Sequence, residues 1–266
     1  MNVESSQPIK LTREGAVATI WLDRPDKRNA MSYAMWASLE EVALRVADDP
    51  DVRVVVVRGA GDHFCAGADI TELNVQRGAD QRSFAEVNLA AETALATIPK
   101  PTIAFISGDC IGGGCAMAID CDMRIATSGA RFGITPAKLG IVYPSASLER
   151  ATHLLGPAAT KRLLFTGDLI DTDEALRLGL VDEVVETAAG EERLATLTGV
   201  LAARSLLTQA ATKAMVADVV AHGHVRPDVE RMWSRVAAAA GDGAEGVAAF
   251  VEKRSPRFTW SGHDGS

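Results

Sequence analysis

Residues 52–58 read VRVVVVR, a run that is apolar and β-branched almost throughout. A half-buried strand alternates apolar and polar residues. This run has no polar side to offer water, so it has to lie between two layers. That predicts a parallel strand with helices above and below it. Residues 102–106 (TIAFI) and 123–126 (MRIA) read as further strands, with residues 16–22 (AVATIWL) before them and 181–185 after. Helical periodicity fills the intervals. Ser32 is placed to cap a helix whose inner face is Met35, Leu39, Val42, Ala43 and Val46, stopped by Asp49-Pro50. Phe84, Val87, Ala91, Leu95 and Ile98 form a second apolar stripe, ended by Pro99 and Pro101. Helical patterns cover 145–155 and 158–165, and beyond about residue 187 nearly everything is helical: 192–204, 205–221, 227–239 and 244–253. The expectation is an α/β core over residues 1–190 and a helical region over 191–266.

The remaining composition narrows the function classes. A net charge of −8 with no block of like charges argues against a nucleic-acid or membrane-surface partner. The first seven residues carry neither a basic region nor an apolar one, and no apolar run is long enough to span a bilayer, so a cytoplasmic protein is expected. Cys65, Cys110, Cys115 and Cys121 form no Cys-x-x-Cys pair, which points to reduced thiols and to no metal site. His222-x-His224 has no third ligand at metal spacing.

Two glycine-bearing segments carry the chemistry: Cys65-Ala66-Gly67-Ala68-Asp69 and Ile111-Gly112-Gly113-Gly114-Cys115. Each follows an apolar run and precedes a plausible helix. Each can therefore aim bare backbone N–H groups at a ligand oxygen, helped by the helix dipole. Taken singly, each is equally well read as tight strand–helix packing. Neither matches G-x-G-x-x-G, G-x-x-x-x-G-K-[ST] or G-x-S-x-G, so dinucleotide binding, nucleotide hydrolysis and the hydrolase elbow are disfavoured.

Together, Phe64–Ile70 (FCAGADI) and Ile106–Cys115 (ISGDCIGGGC) resemble the two signature loops of the enoyl-CoA hydratase/isomerase, or crotonase, superfamily. Leu22-Asp23-Arg24-Pro25 with Asn29-Ala30-Met31, Phe165-Thr166-Gly167 with Gly179-Leu180-Val181, and Glu245-Gly246 with Ala249–Arg254 resemble other parts of it in the right order, over roughly residues 9–258. The resemblance implies a spiral of ββα units with a helical C-terminal trimerisation region, and a homotrimer or a hexamer built as a dimer of trimers. It implies an acyl-CoA thioester substrate, coenzyme A entering as part of the substrate and not as a cofactor. The N–H groups of Ala68 and Gly113 would form an oxyanion hole. Ala66, Asp69 and Ile70 would follow the CoA path, with Lys27 and Arg28 at the nucleotide. Phe250 and Lys253 would reach a neighbouring subunit's CoA. For the basic residues, solvated surface charge is the competing reading.

The chain departs from the family where hydration chemistry sits. The glutamate that follows G-G-G-C is Ala116 here, and the glutamate of F-G-x-P-E is Ala137. Each such acid–base group typically contributes ~10²–10⁴-fold, so two-glutamate hydration is not expected. Residues 135–143 (TPAKLGIVY) are similar to methylmalonyl-CoA decarboxylase, which makes Tyr143 a candidate catalytic hydroxyl, with a packed loop aromatic whose hydroxyl is solvated as the alternative; the histidine of that subgroup's first loop is Ala68 here. Glu149, Asp120 and Asp109 are further candidates for a proton carrier, with pairing to an arginine as the alternative for Glu149 and capping or ion pairing at a helix end as the alternative for Asp120. The expected activity is enolate stabilisation leading to decarboxylation or double-bond isomerisation. Hydration by non-standard residues and a catalytically silent acyl-CoA-binding or assembly protein are the alternatives.

Overall fold

The computed structural model describes residues 8–262 except 74, 76, 77 and 79. Its centre is a six-stranded sheet with the order β1 (Ile9–Glu14), β2 (Val17–Leu22), β3 (Val54–Gly59), β4 (Thr102–Ile106), β6 (Met123–Thr127), β8 (Glu183–Val185). β1 and β2 form an antiparallel hairpin, and every later pairing is parallel. A second, two-stranded parallel sheet joins β5 (Asp109–Ile111) to β7 (Arg131–Gly133).

β3 behaves as its composition demands. Val55 and Val57 face one core, shared with α1 (Tyr33–Asp48), α2 (Phe84–Ala96) and α3 (Gly113–Asp120). Val54 and Val56 face a smaller core with Ile103, Phe105, Ile125 and Leu194, the last from α6 (Gly190–Ala202). One strand thus serves two layers, and its valines alternate between them. The expected Ser32 cap is present, its hydroxyl accepting from Met35 N at 3.2 Å. α2 starts on a capping box in which Ser83 and Glu86 each accept the other's backbone N–H.

The long α4 (Ser145–Thr166) is interrupted at Gly156 (φ 75°), where the sequence pattern breaks at Gly156-Pro157. α5 (Thr172–Leu178) precedes β8. α7 (Leu206–His222), α8 (Pro227–Ala240) and α9 (Asp242–Glu252) complete the C-terminal region around Leu206, Leu207, Ala210 and Trp260. α8 buries none of its residues, and Val247, Phe250 and Val251 of α9 are exposed. Among the described residues no helix is long and apolar enough to cross a membrane, and no cluster of His, Cys, Asp and Glu could hold a metal ion.

All four cysteines are free and buried. Burial pushes the thiols of Cys65 and Cys121 up to about 12.

Candidate active site

The two glycine segments lie side by side. Cys65 N donates to Asp109 O and Ile111 N donates to Cys65 O, both at 2.9 Å, so the first segment runs as an extra strand along β5. Beyond this zipper both chains turn through positive φ, Gly67 at 99° and Gly112 at 56°. A β-carbon on Gly67 would lie 2.9 Å from Ile111 O and 3.5 Å from Gly113 N. One on Gly113 would lie 3.6 Å from Ala68 N. The N–H groups of Ala68 and Gly113 therefore border one small space, and neither is spent on an acceptor among the described residues. Gly113 is the first residue of α3, where helix N–H groups are free and the dipole is positive. Gly114 cannot carry a side chain, because its β-carbon would meet Cys65 O at 2.5 Å. The fully buried Trp36 lays its ring against Gly113, its nearest atom 3.1 Å from that same β-carbon position, and its Nε1 has no partner.

Asn29, in the left-handed region at φ 58° and completely buried, anchors the approach to this space. It donates to Ala60 O at 2.9 Å and His63 O at 2.6 Å and accepts from Arg24 N at 2.9 Å. Met31 N donates to Gly67 O and Asp69 N to Met31 O, both at 2.8 Å, which ties the turn after β2 to the first glycine segment.

At the far end of α3 lies a buried polar cluster. Asp120 is 6% exposed and Glu92 of α2 is 2% exposed. Ser147 of α4 donates to Glu92 at 2.7 Å and Asn88 donates to it at 3.0 Å. Arg150 Nη1 sits 3.1 Å from Asp120 and 3.7 Å from Glu92. Arg150 and Asp120 form an ion pair, and neither carboxylate oxygen of Asp120 has a well-aligned hydrogen bond among the described residues. Tyr143, packed against the core, has a buried hydroxyl with no partner. Burial is the main cause that raises both carboxyl groups, Asp120 well above the ordinary range, and Glu92 adds to the shift at Asp120. Burial, then the charges of Glu92, Cys115 and Asp120, pushes the Tyr143 phenol up as well.

A family model described as enoyl-CoA hydratase/isomerase matches residues 12–261. The chain belongs to this family. A crotonyl-CoA hydratase of Syntrophomonas wolfei is 33% identical over 257 residues, covering 94% of this chain and 97% of that one. A carnitinyl-CoA dehydratase of Proteus mirabilis is 35% identical over 264 residues, covering 97% and 99%. Among solved structures, an enoyl-CoA hydratase/carnitine racemase from Magnetospirillum magneticum superposes with a TM-score of 0.90 at 36% identity, covering 96% of each chain.

Against this family frame, the residues singled out from sequence fall into three groups. Ala66, Ala68 and Gly113 come together, and Ala66 N donates to Arg28 O at 2.9 Å, which brings the Lys27–Arg28 turn alongside. The side chains of the neighbouring acids are already engaged. Asp69 accepts from Arg24 at 2.8 Å and from the Thr71 hydroxyl at 2.6 Å, which hold its carboxyl below the usual range. Asp109 is paired with Arg28 at 3.2 Å and Arg131 at 2.7 Å. Lys27 is exposed and Ile70 is 62% exposed. Others lie apart: Glu149 is on the exposed face of α4 and takes no part in the cluster, Phe250, 86% exposed, belongs to α9, and Lys253 caps that helix. Ala116 is buried on α3, and Ala137 is exposed in a short 3-10 helix.

Sequence reasoning did not single out Glu92, Ser147, Arg150 or Trp36 as members of this region. For Glu92 a signal existed: it follows Ala91 within the apolar stripe of α2, where a charged residue has no reason to sit unless it meets a partner.

Proposed function

We propose that this chain binds an acyl-CoA thioester and stabilises its enolate with the N–H groups of Ala68 and Gly113. The reaction drawn from that enolate is double-bond isomerisation or decarboxylation, not two-glutamate hydration. One observation carries the reading: two unspent N–H groups border a single space at a helix N-terminus, while Ala116 and Ala137 stand where the hydrating glutamates are expected. In this reading Tyr143 is the hydroxyl at the reacting carbon. Lys27, Arg28, Ala66, Asp69 and Ile70 line the CoA path, with Asp69 acting through its turn geometry and not as a free charge. Exposed apolar residues on α9 are consistent with assembly as a homotrimer or hexamer, in which Phe250 and Lys253 reach a neighbour's CoA.

Hydration by non-standard acids is the second reading, favoured by the buried carboxyl groups of Glu92 and Asp120. The test follows enone absorbance with crotonyl-CoA and with but-3-enoyl-CoA, and carbon dioxide release from methylmalonyl-CoA. The expected result is turnover of one of the latter two, with crotonyl-CoA hydrated at least ~10²-fold more slowly than by a two-glutamate relative. Hydration at the relative's rate overturns the proposal. Acyl-CoA binding with no turnover of any of the three leaves the silent binder as the function.

A further inference from the structure

Ten buried side-chain nitrogen and oxygen atoms lack a well-aligned hydrogen bond among the described residues, and five of them flank α3: Trp36 Nε1, Tyr143 Oη, both oxygens of Asp120 and Arg150 Nη1, of which Arg150 Nη1 and Asp120 Oδ1 face each other at 3.1 Å as an ion pair. Buried polar groups are normally satisfied, because an orphan gives up its hydration and gains nothing in return. Tyr143 Oη is left with nothing to meet among the described residues, and beside it Asp120 and Glu92 share one cation, an arrangement that packing alone does not call for.

The cluster also lies where the family's glutamate is absent. Ala116 is 3% exposed and stands one turn before Asp120 on the same face of α3. Side chains on a helix lean towards its N-terminus, so the Asp120 carboxyl lies over the Ala116 turn. That turn is about 4.5 Å along the axis from Gly113, whose N–H faces the proposed thioester oxygen. Tyr143 lies within electrostatic reach of Cys115, beside the same turn, and of both carboxyl groups. Two carboxyl groups share one arginine here. A second negative charge in this low-dielectric space would be uncompensated, so the pair keeps one proton.

We propose that Asp120 and Glu92, holding one proton between them, are the proton carrier for the α-carbon of the bound thioester, working through the hydroxyl of Tyr143. The proposal rests on the enolate reading above. In the forward step the α-proton passes to Tyr143 Oη as the phenol's own proton passes to the ionised member of the pair. The electron pair of the broken C–H bond becomes the enolate, its oxygen held by the N–H groups of Ala68 and Gly113. Reversal returns the proton, to the same carbon or, in a dienolate, to the γ-carbon. Tyr143 touches the substrate. Asp120 and Glu92 act through it, while Ser147, Asn88 and Arg150 hold them in place.

The test is solvent deuterium entry at the α-carbon of butyryl-CoA, followed by mass spectrometry against pH, for the wild type and for Asp120→Asn, Glu92→Gln and Tyr143→Phe. The titratable and charged groups facing the pair are Arg150, Tyr143 and Cys121, and none of them is altered in the first two variants. The wild type should exchange, with a rate that rises through an inflection above the ordinary carboxylate range. Each variant should lose ~10²-fold or more with butyryl-CoA affinity unchanged, and Asp120→Asn should lose the inflection. A salt bridge that only clips helices together would change melting temperature and leave the pH profile alone. Wild-type exchange and profile in both carboxyl variants overturn the proposal and leave the N–H pair standing. Absence of exchange in the wild type overturns the enolate reading itself. If Asp120→Asn fails to fold, Glu92→Gln decides, since its amide still offers Ser147 an acceptor: unchanged exchange in that variant overturns the proposal.

Discussion

The two ends of α3 are built by opposite means. At the N-terminal end the groups left open are backbone N–H, presented by glycines whose replacement would bring a β-carbon against Ile111 O, Trp36 or Cys65 O. At the C-terminal end they are side chains, brought from α2, α3, the loop before α4 and α4 itself. The carboxylates beside the two ends are tuned in opposite directions. Asp69, next to the first glycine segment, is held down by hydrogen bonds from Thr71 and Arg24. Asp120, at the far end, is pushed up by burial and by Glu92. A backbone site is set once the fold forms. A side-chain site keeps its chemistry open to substitution.

The sharpest way to break this comparison is Gly114→Ala. Its β-carbon would sit 2.5 Å from Cys65 O, so the start of α3 has to move. Turnover should fall by ~10²–10³-fold, and stability by about 1–3 kcal/mol, read from steady-state kinetics and urea melts. Tyr143→Phe acts at the other end and should separate the two quantities. It removes a buried hydroxyl with no partner, so stability should stay level or rise by up to about 1 kcal/mol while exchange falls. A drop in melting temperature would mean that the hydroxyl is tied into the fold.

The pH dependence of stability distinguishes the ends further. Because the folded-state value of Asp120 is raised, its contribution is full at acid pH and is lost as pH climbs from the ordinary aspartate range through the raised value. Asp120→Asn should flatten that decline in melts recorded between about pH 4 and about pH 8. Asp69 has the reverse sign. Its contribution is present above the ordinary aspartate range and is lost as pH falls through its depressed value. Asp69→Asn should cost about 1 kcal/mol near neutrality, the smallest of these effects, and the cost should shrink in acid.

The same contrast explains what could be read from sequence. β3, β4, α1 and α2 were legible because each repeats one pattern over five or more residues, and the break in α4 because Gly156-Pro157 announces it. β1 was not, since Ile9 is its only buried residue, nor were β5 and β7, at three residues each too short for a period. The two glycine segments, which the structure lays side by side, were legible because glycine is written into the sequence wherever backbone must approach backbone. Glu92, Ser147 and Arg150 carry no such mark. They are 55 to 58 residues apart along the chain from α2 to α4, and only the packing of the two helices joins them. Glu149 and Arg150 show how narrow the margin is: adjacent in sequence, one faces solvent and the other the cluster.

The four buried cysteines carry a practical consequence. A thiol reagent meets no accessible sulfur on the native protein, so modification waits on opening of the chain. Cys65, Cys110 and Cys115 line the zipper that holds the two glycine segments together, and Cys121 closes α3. The labelling rate of each cysteine, resolved by peptide mapping, is therefore a built-in gauge of how often that part of the molecule comes apart. No reporter group needs to be introduced to read it.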